Sequence, residues 1–132
     1  MSGASPPGVA TLALRALRLA CPWCGGGPVR VSWFRLRESC GACGLMLERG
    51  EPGWFLGALT MQLGALELLF AVVFVAVAWR TWPDPPWDLL LWGSVVTLVV
   101  GALVGYPFAK LGWLAFDLAF RPPAADEFRR PT

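Results

Sequence analysis

Residues 54–79 read WFLGALTMQLGALELLFAVVFVAVAW, and the only charged member of this run is Glu67. Such a run predicts an α-helix of ~39 Å, long enough to cross a bilayer hydrocarbon core of ~30 Å with some tilt. Trp54 and Trp79 bracket it, as aromatic residues bracket spans at membrane–water interfaces. A buried helix of a soluble domain is the competing reading, but too little other chain exists to bury one this apolar. Working outward, Thr81-Trp82-Pro83-Asp84-Pro85-Pro86 stops the helix, because three prolines remove backbone donors and stiffen the turn. A second apolar run follows over 87–106, charged only at Asp88 on its edge. Two spans and a short connection predict an antiparallel transmembrane hairpin.

Apolar residues continue to Phe120, and Pro107 offers a place to bend. Lys110, Asp117 and Arg121 share one helical face by their spacing, so 107–121 reads as an interfacial helix with its charged stripe toward headgroups or water. Asp117 and Arg121 form an i,i+4 pair. Residues 122–132 read as a flexible tail, polar and proline-bearing. The expected domains are thus an N-terminal segment (1–20), a cysteine domain (21–53), two spans (54–79 and 87–106) around an external turn (80–86), the interfacial helix and the tail.

The bulk numbers agree. Of 132 residues, 56% are hydrophobic and 15% charged, against roughly 45–50% and 25% in soluble domains. A net charge of +2 does not point to nucleic acid. Position matters more. Arg15, Arg18, Arg30, Arg35, Arg37 and Arg49 precede the first span; Lys110, Arg121, Arg129 and Arg130 follow the second; Arg80 alone lies between. The positive-inside rule then predicts both termini in the cytoplasm. Arg15 and Arg18 interrupt the apolar stretch from Val9 to Ala20, which reads as a short basic amphipathic helix rather than a secretory signal.

Ahead of the first span stand Cys21-Pro22-Trp23-Cys24-Gly25 and Cys40-Gly41-Ala42-Cys43-Gly44. Two C-x2-C pairs fifteen residues apart match a zinc-site spacing. Each pair lets one tight turn aim two thiolates at one ion, and the glycine after it lets amide N–H groups approach the sulfurs. Four thiolates make a closed, structural tetrahedron. Cys21, Cys24, Cys40 and Cys43 are therefore the predicted metal ligands, of Zn2+ first and iron second. Disulfides are disfavoured on the reducing side of the membrane, a thioredoxin-like context is absent, and four unligated thiols fit two matched pairs poorly. Residues 29–33 read as a short strand and 34–37 as its continuation or return, so the fold class is an α-helical membrane protein carrying a small β zinc ribbon. Some 30 residues bury little core, so metal is expected to order the ribbon.

Chemistry elsewhere is sparse. With no His in the chain, no Ser-His or Cys-His nucleophile pair exists, and no enzyme is expected. Glu67, mid-span, is costly unless protonated or hydrogen-bonded; it reads as an intramembrane polar contact within a bundle or a homo-oligomer, or as part of a proton or metal path. Gln62, Thr60 and Thr97 are its polar neighbours or interhelical partners, and Gly101 with Gly105 forms a small-xxx-small face.

Together these residues resemble a bacterial membrane family, domain of unknown function 983. The resemblance rests on the two knuckles at Cys21–Gly25 and Cys40–Gly44. It rests also on Glu51-Pro52-Gly53-Trp54-Phe55 entering the first span, on Pro85-Pro86-Trp87 and Trp92 opening the second, and on Tyr106-Pro107-Phe108-Ala109-Lys110 leaving it. Members often carry a His near the position of Asp88, where this chain has none. The resemblance implies a location in the bacterial inner membrane. Because members are often encoded beside assembly genes for terminal oxidases, it also implies a part in assembling that respiratory complex. The expected role is a non-catalytic interaction or assembly factor for another membrane protein, in contact with the lipid bilayer. A redox or metal-handling module using the same four thiolates is the alternative.

Overall fold

The computed structural model describes residues 5–49 and 52–128. It is mostly helical. Helix α1 spans Val9–Leu17, strands β1 and β2 span Arg30–Ser32 and Arg35–Leu36, and the long helices α2 and α3 span Trp54–Thr81 and Trp87–Phe120. A 3-10 turn, Ala125–Glu127, follows α3. The strands pair antiparallel, with Arg30 opposite Leu36 and Ser32 opposite Arg35, so residues 34–37 return rather than continue.

Helices α2 and α3 run antiparallel, and glycines let them meet closely. A Cβ on Gly57 would overlap the Trp113 indole, one on Gly101 would lie 2.8 Å from Leu66 Cδ2, and one on Gly112 would lie 3.0 Å from Met61 Sδ. Gly101 therefore faces α2 as the small-residue pattern predicts, whereas Gly105 has open space beside it. Both helices are long and apolar enough to cross a membrane. Their most apolar windows are almost wholly unburied by the rest of the chain, unlike the core helix of a soluble protein.

The second half of the hairpin differs from the sequence reading. In place of a span ending at Tyr106 and a separate interfacial helix over 107–121, α3 continues unbroken for 34 residues with Pro107 inside it, about 51 Å. Proline removes the N–H that would bond to the carbonyl four residues earlier, here that of Leu103. That carbonyl is supplied from outside: the Trp33 indole N–H donates to Leu103 O at 2.7 Å. Next to it, Gln62 Nε2 donates to Ala102 O at 2.7 Å. The acceptor that Pro107 vacates is thereby satisfied by a donor from the cysteine domain, Gln62 of α2 adds a bond to the neighbouring carbonyl, and the helix persists.

The charged stripe beyond Pro107 also faces elsewhere. The buried core gathers Leu12 and Ala16 of α1, then Val29, Leu36, Leu45 and Leu47 of the cysteine domain, against Leu111, Leu114, Ala115 and Leu118 of α3. Residues 108–120 are thus the central helix of the N-terminal unit rather than a surface helix. The physical reason is size. A two-stranded ribbon cannot bury its own apolar face, so it borrows α1 and the foot of α3. On that face Lys110 pairs with Glu48 at 3.6 Å and Asp117 with Arg49 at 2.6 Å, both from the cysteine domain, while Asp117 keeps its pair with Arg121 at 3.4 Å.

The tail differs too. Met46 N–H donates to Glu127 O at 2.9 Å, Leu45 bridges Phe128, and Phe128 packs on Trp23 with ring centroids 6.3 Å apart. Residues 122–128, expected to be flexible, add a backbone pairing to the edge of the second knuckle. Residues 129–132 lie outside the described residues.

Candidate metal centre

Each knuckle is a tight turn closed by its own backbone. Gly25 N–H donates to Cys21 O at 2.8 Å and Gly44 N–H to Cys40 O at 3.0 Å. Both glycines adopt the left-handed conformation, φ +73° and +79°, which a side chain would strain. This is the structural content of the glycine after each C-x2-C pair. Amide donors then reach the sulfurs: Gly26 N–H to Cys24 Sγ and Ala42 N–H to Cys40 Sγ, each at 3.4 Å. Such donors favour thiolates over thiols.

The four Sγ atoms of Cys21, Cys24, Cys40 and Cys43 all lie within 4.8 Å of one another. Cys21 to Cys43 is 3.8 Å and Cys24 to Cys40 is 3.7 Å. A tetrahedral ion with metal–sulfur bonds of ~2.3 Å needs sulfur–sulfur edges of about 3.8 Å. Two opposite edges already have that length, one joining each knuckle to the other, so the four cysteines are positioned to bind a metal ion. Cys21 and Cys40 are buried, Cys43 partly so, and Cys24 exposed. The donor set, four thiolates and no imidazole, suits zinc or iron.

Protonation follows from the packing. The hydrogen bond with Cys43, reinforced by burial, pushes the Cys21 thiol up. Conversely, the bond from Cys21 pulls Cys43 down to about 5, against its own desolvation. The Cys21–Cys43 pair thus shares one proton across 3.8 Å. Burial pushes Cys24 up. Metal binding needs all four as thiolates. At pH 7 one proton has already left the Cys21–Cys43 pair, so metal binding should release fewer than four per ion. Below about pH 5, where the pair takes up its second proton, one more proton must leave and affinity should fall more steeply. Calorimetric titrations in buffers of different ionisation enthalpy count these protons. A release of four per ion at pH 7 would contradict the shared proton.

The sequence reading missed two residues that hold this centre. Arg15 of α1 donates from Nη1 to Trp23 O at 2.6 Å and Pro22 O at 3.3 Å, clamping the first knuckle. Arg49 follows the second knuckle, with its side chain only 3% exposed. Its guanidinium donates to Asp117 Oδ2 at 2.6 Å, Glu127 Oε1 and Oε2 at 2.9 and 2.7 Å, and Arg121 O at 3.0 Å. Neither carries a local signal, for their partners lie 7–8 and 68–78 residues away. Glu67 is exposed on α2 and, among the described residues, makes no hydrogen bond or ion pair. Leu66, one position before it, is the residue that faces α3. Its expected neighbours are engaged differently. Gln62 serves Ala102 O, and Thr60 bonds back to Leu56 O at 2.8 Å.

Among known proteins, no curated protein and no solved structure matches the chain. A family model does match, over residues 31–117, which takes in part of β1, all of β2, the second knuckle, α2 and α3 as far as Asp117. That stretch covers most of the chain and leaves the first knuckle just outside it, and the chain belongs to the family described as Protein of unknown function (DUF983).

Proposed function

We propose that this protein is a membrane-anchored zinc ribbon without catalytic activity of its own, a contact or assembly factor for another membrane protein. One observation carries the reading. The four-sulfur site sits in a core shared with the foot of α3, while the rest of α2 and α3 presents unburied apolar surface. A bilayer is the solvent that suits such surface. All four sulfurs would engage the ion, leaving no coordination position for a substrate. The excess of basic residues on the knuckle side supports a cytoplasmic location for that side and both termini, where thiols stay reduced. The family resemblance directs the choice of membrane to the bacterial inner membrane, and of partner to a respiratory terminal oxidase.

Two measurements test this. Gently purified protein should need detergent, be colourless and hold one zinc per chain; a coloured, iron-bearing product would move the reading to a redox or metal-handling module on the same ligands. Crosslinking and pulldown from native membranes should recover a membrane partner with the intact chain and lose it with Cys40→Ser. Recovery of the same partners in equal yield would remove the ribbon from the interaction.

A further inference from the structure

The β1–β2 hairpin sits at a revealing level along the long helices. Twenty helical residues span the ~30 Å hydrocarbon core. Counted from the connecting turn, such a slab covers Trp87 to Tyr106 on α3 and Trp79 back to Thr60 on α2. Its boundary on the knuckle side is where the hairpin touches α3. Trp33 bonds to Leu103 O and packs against Phe108 at 6.4 Å, and Phe34 packs against Tyr106 at 5.6 Å. The hairpin tip is thereby pinned alongside the edge of the apolar slab, with Val31 63% and Phe34 53% exposed to what surrounds it.

The same hairpin is uniformly basic. From Trp23 to Arg37 there is no acidic residue. Arg30, whose guanidinium lies 5.2 Å over the Trp33 ring, and the exposed Arg35 and Arg37 make no ion pair among the described residues. By contrast Arg15 and Arg49 bond within the fold. Guanidinium groups without an ion pair among the described residues, carried on the same hairpin as exposed apolar side chains at a bilayer boundary, match the charge and polarity of an anionic lipid surface.

We propose that this hairpin is a seat for anionic phospholipid headgroups, with Arg30, Arg35 and Arg37 on the phosphates and Val31 and Phe34 at the acyl boundary. The proposal rests on the membrane reading given above. Attraction of this kind corresponds to about fivefold in affinity per arginine and weakens as salt rises.

The test is a native mass-spectrometric titration of the detergent-solubilised, metal-loaded full chain with phosphatidylglycerol, and separately with phosphatidylcholine. Phosphatidylglycerol should bind preferentially, R35Q should weaken it about fivefold, and R30Q/R35Q/R37Q roughly a hundredfold. R30K/R35K/R37K should keep most of the preference, and metal content in each variant reports that the ribbon remains folded. Should the triple glutamine variant lose its metal, the singly substituted R35Q, at an exposed position of β2, carries the decision. Equal binding of the two lipids, or unchanged phosphatidylglycerol binding in R35Q, overturns the proposal. So does an acidic protein partner lost through these arginines while lipid binding stays. A chain soluble without detergent would instead defeat the membrane reading itself.

Discussion

Cys40→Ser is expected to empty the metal site and unfold more than the ribbon. Cys40 is 1% exposed, and its sulfur lies 3.7 Å from that of Cys24, one of the two edges already at tetrahedral length. Structural zinc in small Cys-rich peptides contributes an apparent ~10–16 kcal/mol, far more than a sheet of three- and two-residue strands supplies by itself. The ribbon's Val29, Leu36, Leu45 and Leu47 are packed with Leu12 and Ala16 of α1 and with Leu111, Leu114 and Leu118 of α3. Loss of metal therefore exposes one face of each of those helices. It also releases Trp33, leaving the Leu103 carbonyl without the donor that Pro107 cannot provide. Hydrogen exchange followed by mass spectrometry in detergent reads this residue by residue. Metal content should fall from one per chain to near zero. Amides of 9–17, 29–47 and 108–120 should lose protection together. Those of α2 beyond Thr60 and of 87–102, which lie outside the core shared with the ribbon, should keep it. Protected ribbon amides in metal-free protein would show that packing alone holds the unit.

Such a cooperative unit was only half legible in the sequence. Local features came through. The run of 26 residues broken only by Glu67 gives α2 from residue 54. The spacing of four cysteines gives a cluster within 4.8 Å, and Asp117 with Arg121, four apart, pair. Periodicity and spacing report on a chain's own next turn, so features of that range can be read directly. What could not be read depends on partners distant in sequence. Pro107 is a helix breaker to any local rule, and it is tolerated because Trp33, 70 residues from Leu103, fills the vacated acceptor. Lys110, Asp117 and Arg121 make a charged stripe that suggests water or headgroups, until Arg49 and Glu48 are seen to meet it. The tail looked unstructured because its anchors, Glu127 O on Met46 and Phe128 on Trp23, are provided by the second and first knuckles. In each case the missing information was a partner far along the chain: a donor, a counter-charge or an apolar face to pack against.

Arg49→Met should destabilise the protein strongly, although it touches no cysteine. Arg49 is held in a left-handed conformation, φ +48°, which for a residue other than glycine costs of the order of 1–3 kcal/mol. The structure sustains that strain because the guanidinium joins three segments at once: the end of the cysteine domain, Asp117 on α3, and Glu127 in the tail. The side chains are 3%, 16% and 23% exposed, so the network is mostly withdrawn from water. Removing the cation takes the counter-charge from Glu127 and leaves Asp117 only the half-exposed Arg121 at 3.4 Å, a change that costs up to about 3–5 kcal/mol. The comparison that isolates the cause is Glu48→Gln. Glu48 and Lys110 link the same two segments, but Glu48 is 58% exposed and the pair is 3.6 Å apart, so its loss should cost about 0–1 kcal/mol. Unfolding of detergent-solubilised, metal-loaded protein by denaturant, read through tryptophan fluorescence and metal release, compares the two. Adding Asp117→Asn and Glu127→Gln to Arg49→Met should restore a large part of the loss, because neutral amides need no counter-charge. If Arg49→Met and Glu48→Gln cost the same, or if the triple variant is no more stable than the single one, the buried network is not what fastens the knuckles to α3. The positive φ at residue 49 would then be left without a compensating interaction.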